Sequence, residues 1–201
     1  MRKFLLSASL IVLTAVPAYA EEGSWLVRGR VIDIIPDEGG TVSAPLGGSV
    51  NIDDAIVPEL DFTYFFTDNI AAELILATAE HDVEATTGPT DLGSIWLLPP
   101  TLTLQYHFNG LGKAKPYVGA GVNYTIFYNA DEPAGLDIDY DDGFGWALQA
   151  GVDVFVNDNW FVNLDIKKLF LGTDVSINGG AITADVDIDP WVVGVGGGFK
   201  F

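Results

Sequence analysis

The chain has 201 residues, with 28 Asp and Glu against 9 Lys and Arg and no cysteine. Without cysteine there are no disulfides, thiolate metal sites or cysteine nucleophiles. A formal charge of −19 argues against nucleic acid, whose phosphates call for cationic surface.

In chain order, Arg2 and Lys3 precede the apolar stretch Phe4 to Val16 and the small-x-small site Ala18-Tyr19-Ala20. This pattern predicts a cleaved secretory signal peptide over 1–20 and a mature chain from Glu21, over 21–201, sized for one domain. Loss of Arg2 and Lys3 leaves 7 basic residues against 28 acidic ones. No later apolar run reaches the ~18 residues of a spanning helix. Residence in a membrane would therefore require a closed barrel, because lipid offers no partner to backbone N–H and C=O groups.

Eight segments of period-2 alternation follow, as membrane barrel strands require. The first, Ser24 to Ile35, sets Trp25, Val27 and Val31 against Arg28 and Arg30. The second, Ile56 to Phe66, sets Pro58, Leu60, Phe62 and Tyr64 against Glu59, Asp61 and Thr63. After the turn Thr67-Asp68-Asn69, the third, Ile70 to Ala79, sets Ala72, Leu74 and Leu76 against Glu73. In the fourth, Trp96 to Phe108, Leu102, Leu104 and Tyr106 oppose Thr103, Gln105 and His107. The fifth alternates Val118, Ala120, Val122 and Tyr124 with Gly119, Gly121 and Asn123. The sixth, Phe144 to Val156, sets Trp146, Leu148 and Val152 against Gln149 and Asp153. After Asn157-Asp158-Asn159 the seventh sets Val162, Leu164 and Ile166 against Asn163, Asp165 and Lys167. The eighth closes the chain, with Trp191, Val193, Val195, Phe199 and Phe201 against Lys200.

Connections after the second, fourth and sixth segments are short and the others long, as for short periplasmic turns and long outer loops. Aromatic residues gather at both segment ends: Trp25, Phe66, Phe108, Trp160 and Phe201 at one, Trp96, Tyr128, Trp146 and Trp191 at the other. Two such girdles suit two membrane interfaces. The competing fold is a periplasmic β-sandwich with the apolar face inside, which alternation alone does not distinguish. The girdles and loop alternation select an eight-stranded antiparallel transmembrane β-barrel. The four long connections carry 19 of the 28 acids and no Lys or Arg. On the polar strand face, Arg28, Arg30, Lys167 and Lys200 meet Glu59, Asp61, Glu73, Asp153 and Asp165, predicting a polar plug in a narrow lumen.

Four stretches carry a family resemblance: Phe65-Phe66-Thr67-Asp68-Asn69-Ile70-Ala71-Ala72-Glu73, Leu98-Pro99-Pro100-Thr101-Leu102 through Phe108, Lys115-Pro116-Tyr117-Val118-Gly119-Ala120-Gly121, and Asp189-Pro190-Trp191-Val192-Val193-Gly194. In this order and spacing the chain resembles the OmpW family of bacterial outer-membrane proteins over its mature length. The resemblance implies a barrel with a narrow, partly apolar pocket open among the outer loops and closed toward the periplasm, and uptake of small hydrophobic molecules. It places an apolar gate on loop-proximal strand positions, here Ile56, Trp96, Leu98, Phe144 and Leu169. It carries over no catalytic residues.

Other motifs point to less. Asp137 to Gly143 is acidic but fails the EF-hand pattern, with Asp142 where Gly is required and Leu148 where Glu is required. A solvated acidic loop fits better, with a loose Mg²⁺ or Ca²⁺ site shared with lipopolysaccharide phosphates as the alternative. Of two histidines, His81 is expected in a loop and His107 in the lumen. Gly194 to Gly198 and Gly110-Leu111-Gly112-Lys113 complete no nucleotide-binding fingerprint. Asn178-Gly179 between alternating residues predicts a hairpin above the membrane.

The sequence thus favours a non-enzymatic conduit for small hydrophobic solutes, without cofactor or metal. Outer-membrane lipids, lipopolysaccharide and the insertion machinery are its expected partners. A surface-interaction or structural barrel without transport is the alternative, and a Ser/His barrel enzyme a remote third. Solute would leave sideways, with Pro58, Pro99 and Pro100 as lateral-opening candidates because proline lacks a ladder N–H. Phe201 ends an alternating apolar strand and is the expected assembly signal. Deleting Phe201 should lower the inserted fraction and leave protein in the periplasm, as fractionation of cells would read; undiminished insertion would refute the role.

Overall fold

The computed structural model describes residues 22–42, 48, 50–86, 90–133 and 135–201. The expected signal peptide at 1–20 and the expected mature start at Glu21 lie outside the described residues. The strands, in chain order, are β1 (Trp25–Ile35), β2 (Gly39–Val42), β3 (Val50–Ile52), β4 (Ala55–Phe65), β5 (Ile70–Ala77), β6 (Ala79–Ala85), β7 (Thr90–Leu98), β8 (Thr101–His107), β9 (Ala114–Asp131), β10 (Ile138–Tyr140), β11 (Gly143–Phe155), β12 (Trp160–Phe170), β13 (Gly172–Ile177), β14 (Ile182–Asp187) and β15 (Trp191–Lys200).

β1, β4, β5, β8, β9, β11, β12 and β15 pair in that order, each antiparallel to the next, and β15 returns to β1. A closed ring of eight leaves no unpaired edge, the condition for crossing lipid with strands. The short turns are built by side chains that cap their own backbone: Thr67 Oγ1 accepts from Ile70 N at 2.9 Å and Asn157 Oδ1 from Trp160 N at 2.8 Å.

Side-chain parity decides which face is inside. On β8, Thr103 and Gln105 are each 1% exposed, while Leu102 and Leu104 are 54% and 60% exposed. A sandwich would reverse this; only a hydrocarbon surround makes an apolar exterior on a polar interior favourable.

Where they are described, the long connections are largely strand. The barrel staves run on as further strands and divide into two sheets, one of order β10-β13-β14-β2 and one joining β3, β6, β7 and the upper half of β9. The expected hairpin is β13–β14, turning through Asn178 and Gly179 with φ of 52° and 67°, the left-handed geometry that favours Asn-Gly. His81, expected in a loop, sits inside β6. Parity here is the ordinary soluble one: Ala79, Val83 and Ala85 point inward and Glu80, Asp82 and Glu84 outward. Apolar residues of both sheets, among them Val50, Val83, Ile95, Val175, Ile177 and Val186, pack into one core above the plug.

Gly121 on β9 faces the barrel where β8 passes so close that a Cβ would overlap the Leu102 carbonyl. Unheated protein should migrate differently from boiled protein in SDS, and Gly121→Val should abolish the difference by preventing closure of β8 on β9.

Candidate functional site

The interior is stratified along the barrel axis. At the short-turn end Leu26, Phe65, Ala71, Phe155 and Phe161 form a small apolar floor. Above it stands the polar plug. Arg28 is fully buried; its Nη1 donates to Asp61 Oδ1 at 2.9 Å, Glu73 Oε1 at 3.1 Å and Thr63 Oγ1 at 2.5 Å, and its Nε and Nη2 take Asp153 in a fork at 3.1 and 2.8 Å. Its guanidinium carbon lies 5.4 Å from the Tyr117 ring centre and 5.5 Å from that of Phe161, within cation–π range. Arg30 reaches Glu59 at 2.6 Å, Asp61 at 2.6 Å and Glu73 at 3.3 Å. Lys167 bridges Glu59 at 2.9 Å and Asp165 at 2.7 Å.

Three cations thus meet five carboxylates, and neutral donors complete the solvation. Gln105 and Gln149 donate to Glu73 Oε2 at 2.6 and 2.8 Å, Tyr117 to Asp165 Oδ2 at 2.6 Å, and Asn163 to Asp153 Oδ1 at 2.8 Å. Asp61 Oδ2 and Asp165 Oδ1 lack a well-directed hydrogen bond but lie 2.6 Å from Arg30 and 2.7 Å from Lys167, so Coulomb attraction holds them. Lys200 is half-buried at the short-turn end, opposite Leu26 on β1. Tyr117 is the plug residue the sequence reading missed. It precedes Gly119 and Gly121 on the same parity, which was the signal available, and Gly119 leaves room for Gln105 and Gln149.

Above the plug lie two apolar cavities of about 50 Å³ each. The lower has Glu59 and Lys167 at its boundary and Ile32, Ile75, Leu169 and Val192 in its walls. The upper runs between the two extramembrane sheets, lined by Val83, Ile95, Phe127 and Ile138. Burial, with Glu132 adding to it, pushes the Tyr140 phenol at its rim up to about 12, so Tyr140 stays neutral at physiological pH. His81, Leu97 and Ile188 line both cavities.

Of the five gate candidates only Leu169 lines a cavity. Ile56 and Phe144 are 73% and 83% exposed on the outer face, Trp96 packs on Tyr128 at 6.1 Å, and Leu98 lines an outer groove. The correction has one cause: above the plug the interior becomes apolar while the exterior near the membrane stays apolar too, so hydrophobicity no longer marks the inward face. The true lining has the opposite parity, as Ile95 and Leu97 do.

The barrel wall is interrupted beside the lower cavity. Pairing of β5 with β8 ends at Ile75↔Thr101 and pairing of β6 with β7 resumes at Ala79↔Leu97. In between, Leu76, Ala77 and Thr78 face Leu98, Pro99 and Pro100, and two of those three lack an N–H. Pro58 stands opposite Val31 on β1, one residue beyond the last β4–β5 pair, Glu59↔Ala77. Glu59, Ala77 and Thr78 border both the lower cavity and a groove on the outer wall lined by Pro58, Leu60, Leu76 and Leu98.

Residues 21–201 match the model of the OmpW family. The uncharacterized outer-membrane protein y4mB of Sinorhizobium fredii is 43% identical, covering 98% of this chain and 92% of that protein. The dibenzothiophene metabolism operon protein PahQ of Pseudomonas aeruginosa is 33% identical over 93% of each. The crystal structure of the outer membrane protein OprG from Pseudomonas aeruginosa superposes with a TM-score of 0.85 at 30% identity, covering 92% of this chain and 99% of that one.

The chain belongs to the OmpW family. It is an integral β-barrel of the bacterial outer membrane, with the short turns on the periplasmic side.

Other candidates take bland places in this OmpW barrel. His107 Nε2 lies 2.9 Å from Gln105 Oε1 and the ring stacks on Tyr117, a lumen histidine held by hydrogen bonding and packing. In the acidic run, Asp142 Oδ1 accepts from Phe127 N at 2.9 Å and the Asp141 carbonyl from Thr173 Oγ1 at 2.9 Å, which ties the outer hairpins together. Among the described residues no group of three or more His, Asp or Glu side chains is arranged to hold a metal ion. Phe201 is 68% exposed, edge-on to Phe199, with its N–H on the Trp25 carbonyl at 2.9 Å.

Removing Arg28 strands Asp61, Glu73 and Asp153 without their shared cation. Arg28→Met should therefore lower the unfolding free energy by about 3–5 kcal/mol, read by urea unfolding of the barrel in lipid vesicles.

Proposed function

We propose that this barrel carries small apolar molecules from the cell exterior through the two stacked cavities and releases them sideways, through the wall break, into the outer membrane. The carrying observation is the lower cavity. It ends below on the Glu59–Lys167 ion pair and shares Glu59, Ala77 and Thr78 with the groove on the outer wall. An apolar solute gains roughly 25 cal/mol for each Å² it removes from water and would forfeit that gain among the plug's ions. The axial route is thus closed to it and the lateral one open. Pro99 and Pro100 hold the seam apart without unsatisfied donors, and Leu169 is the gate residue in the lower wall.

PahQ, whose name places it with dibenzothiophene metabolism, supports a flat aromatic as one cargo. Lipopolysaccharide and lipid pack against the outer face, and Phe201 is presented to the insertion machinery. Cells producing the protein should take up naphthalene faster than cells lacking it. Leu169→Asp should cut that gain at least about tenfold, since an unpaired buried carboxylate costs several kcal/mol, while leaving heat-modifiable migration intact. Equal uptake with and without the protein overturns transport and leaves the surface-interaction barrel.

A further inference from the structure

Among the described residues His81 is the one polar side chain shared by the two apolar cavities; the others common to both are Leu97 and Ile188. It is only 5% exposed, and its strand neighbours on the same face are Ala79 and Val83. Its Nδ1 lies 2.8 Å from the backbone carbonyl of Asp53. A carbonyl oxygen only accepts, so Nδ1 carries the hydrogen, and in the neutral ring Nε2 is then an acceptor. Among the described residues the hydrogen bond given to this ring is the one at Nδ1. Of the polar groups that line the cavities with it, Thr78 and Thr101 donate to the carbonyls of Leu97 and Pro99, Thr173 to that of Asp141, and Lys167 is held by Glu59 and Asp165.

We infer that His81 Nε2 is a binding site at the junction of the cavities for an apolar molecule bearing a single hydroxyl or N–H donor, such as an alkanol or a phenol. The inference rests on the conduit reading in taking the cavities as the solute's path, and it adds a chemical class. A plain hydrocarbon passing this point leaves the lone pair bare, and an ether or ketone sets its own lone pairs against it. A hydroxyl satisfies Nε2 while its carbon skeleton fills the apolar walls. One neutral hydrogen bond of this kind separates isomers by about three- to tenfold in affinity.

The full barrel in lipid nanodiscs, with its histidine imidazole nitrogens labelled for NMR, provides the test. The chain has two histidines, so His107, enclosed in the plug, is the internal control. n-Hexanol and its isomer methyl pentyl ether, equal in atoms but not in donors, are titrated in turn. The alcohol should move the His81 Nε2 resonance toward the hydrogen-bonded position, the ether should not, and His107 should stay still. The alcohol should also bind about three- to tenfold more tightly than the ether. His81→Asn keeps an amide donor for Asp53 but no acceptor reaching the cavity, and should erase that preference. Equal responses to the two isomers, silence toward the alcohol, or a preference that survives His81→Asn would each overturn the inference. Because this reads binding, it fails separately from transport: naphthalene uptake with a silent His81 sinks the hydroxyl site alone, and a responsive His81 without uptake sinks the conduit alone.

Discussion

The interior of an eight-stranded barrel is too narrow for a water column and too wide to leave empty, so side chains must fill it. In lipid the outward face is already apolar, and period 2 then delivers the polar half of every stave to that interior. The structure meets the resulting demand around Arg28, which binds Asp61, Glu73 and Asp153 from three different staves. Each carboxylate is tolerable only because that guanidinium is there, joined at Asp61 and Glu73 by Arg30, and each arginine only because the carboxylates are. Such a network adds little net stability over an apolar filling, yet it is intolerant of losing a member. It fixes the barrel's register and closes its axis together.

Everything above the plug follows from the point at which this inverted arrangement stops. On β1 the inward positions change from Arg28 and Arg30 to Ile32 and Ile34 within one stave. Beyond that level the exterior meets water, acids take the outward positions, and the apolar residues turn inward to a conventional core. The two regimes overlap for a short distance, and there the barrel has apolar groups on both sides of its wall. That is where the lower cavity sits, where Pro99 and Pro100 interrupt the ladder, and where Glu59 borders inside and outside alike. A lateral path for apolar solutes needs this coincidence: an ionic block below, an aqueous entrance above, and a thin unpaired wall between two apolar surfaces.

His81 shows why an isolated polar group in such a passage has chemical meaning. Buried polar atoms are ordinarily satisfied, and the half of the imidazole that faces Asp53 is. His81 lines both cavities, and it differs from the leucine and isoleucine beside it in that the nitrogen turned from Asp53 can accept a hydrogen bond.

By itself, the sequence determined the eight staves, their turns and the antiparallel closure, and it put Arg28, Arg30 and Lys167 on the same strand face as the acids they meet. Alternation, turn chemistry and length are local properties that lipid and backbone hydrogen bonding convert directly into a barrel. It also pointed to Pro58, Pro99 and Pro100, because a missing N–H is legible residue by residue. Tertiary structure decided the rest. It alone showed that the acidic connections are strands forming two sheets, since their pairing joins segments distant in sequence, as β2 to β14 and β3 to β6. It alone decided which face lines the cavities: Ile56, Trp96 and Leu98 share with their inward neighbours the hydrophobicity from which a gate was expected, while Phe144, between Gly143 and Gly145, keeps the outward parity of Trp146. Where both faces of a strand are apolar, composition carries no sign of direction, and only the closed barrel assigns one.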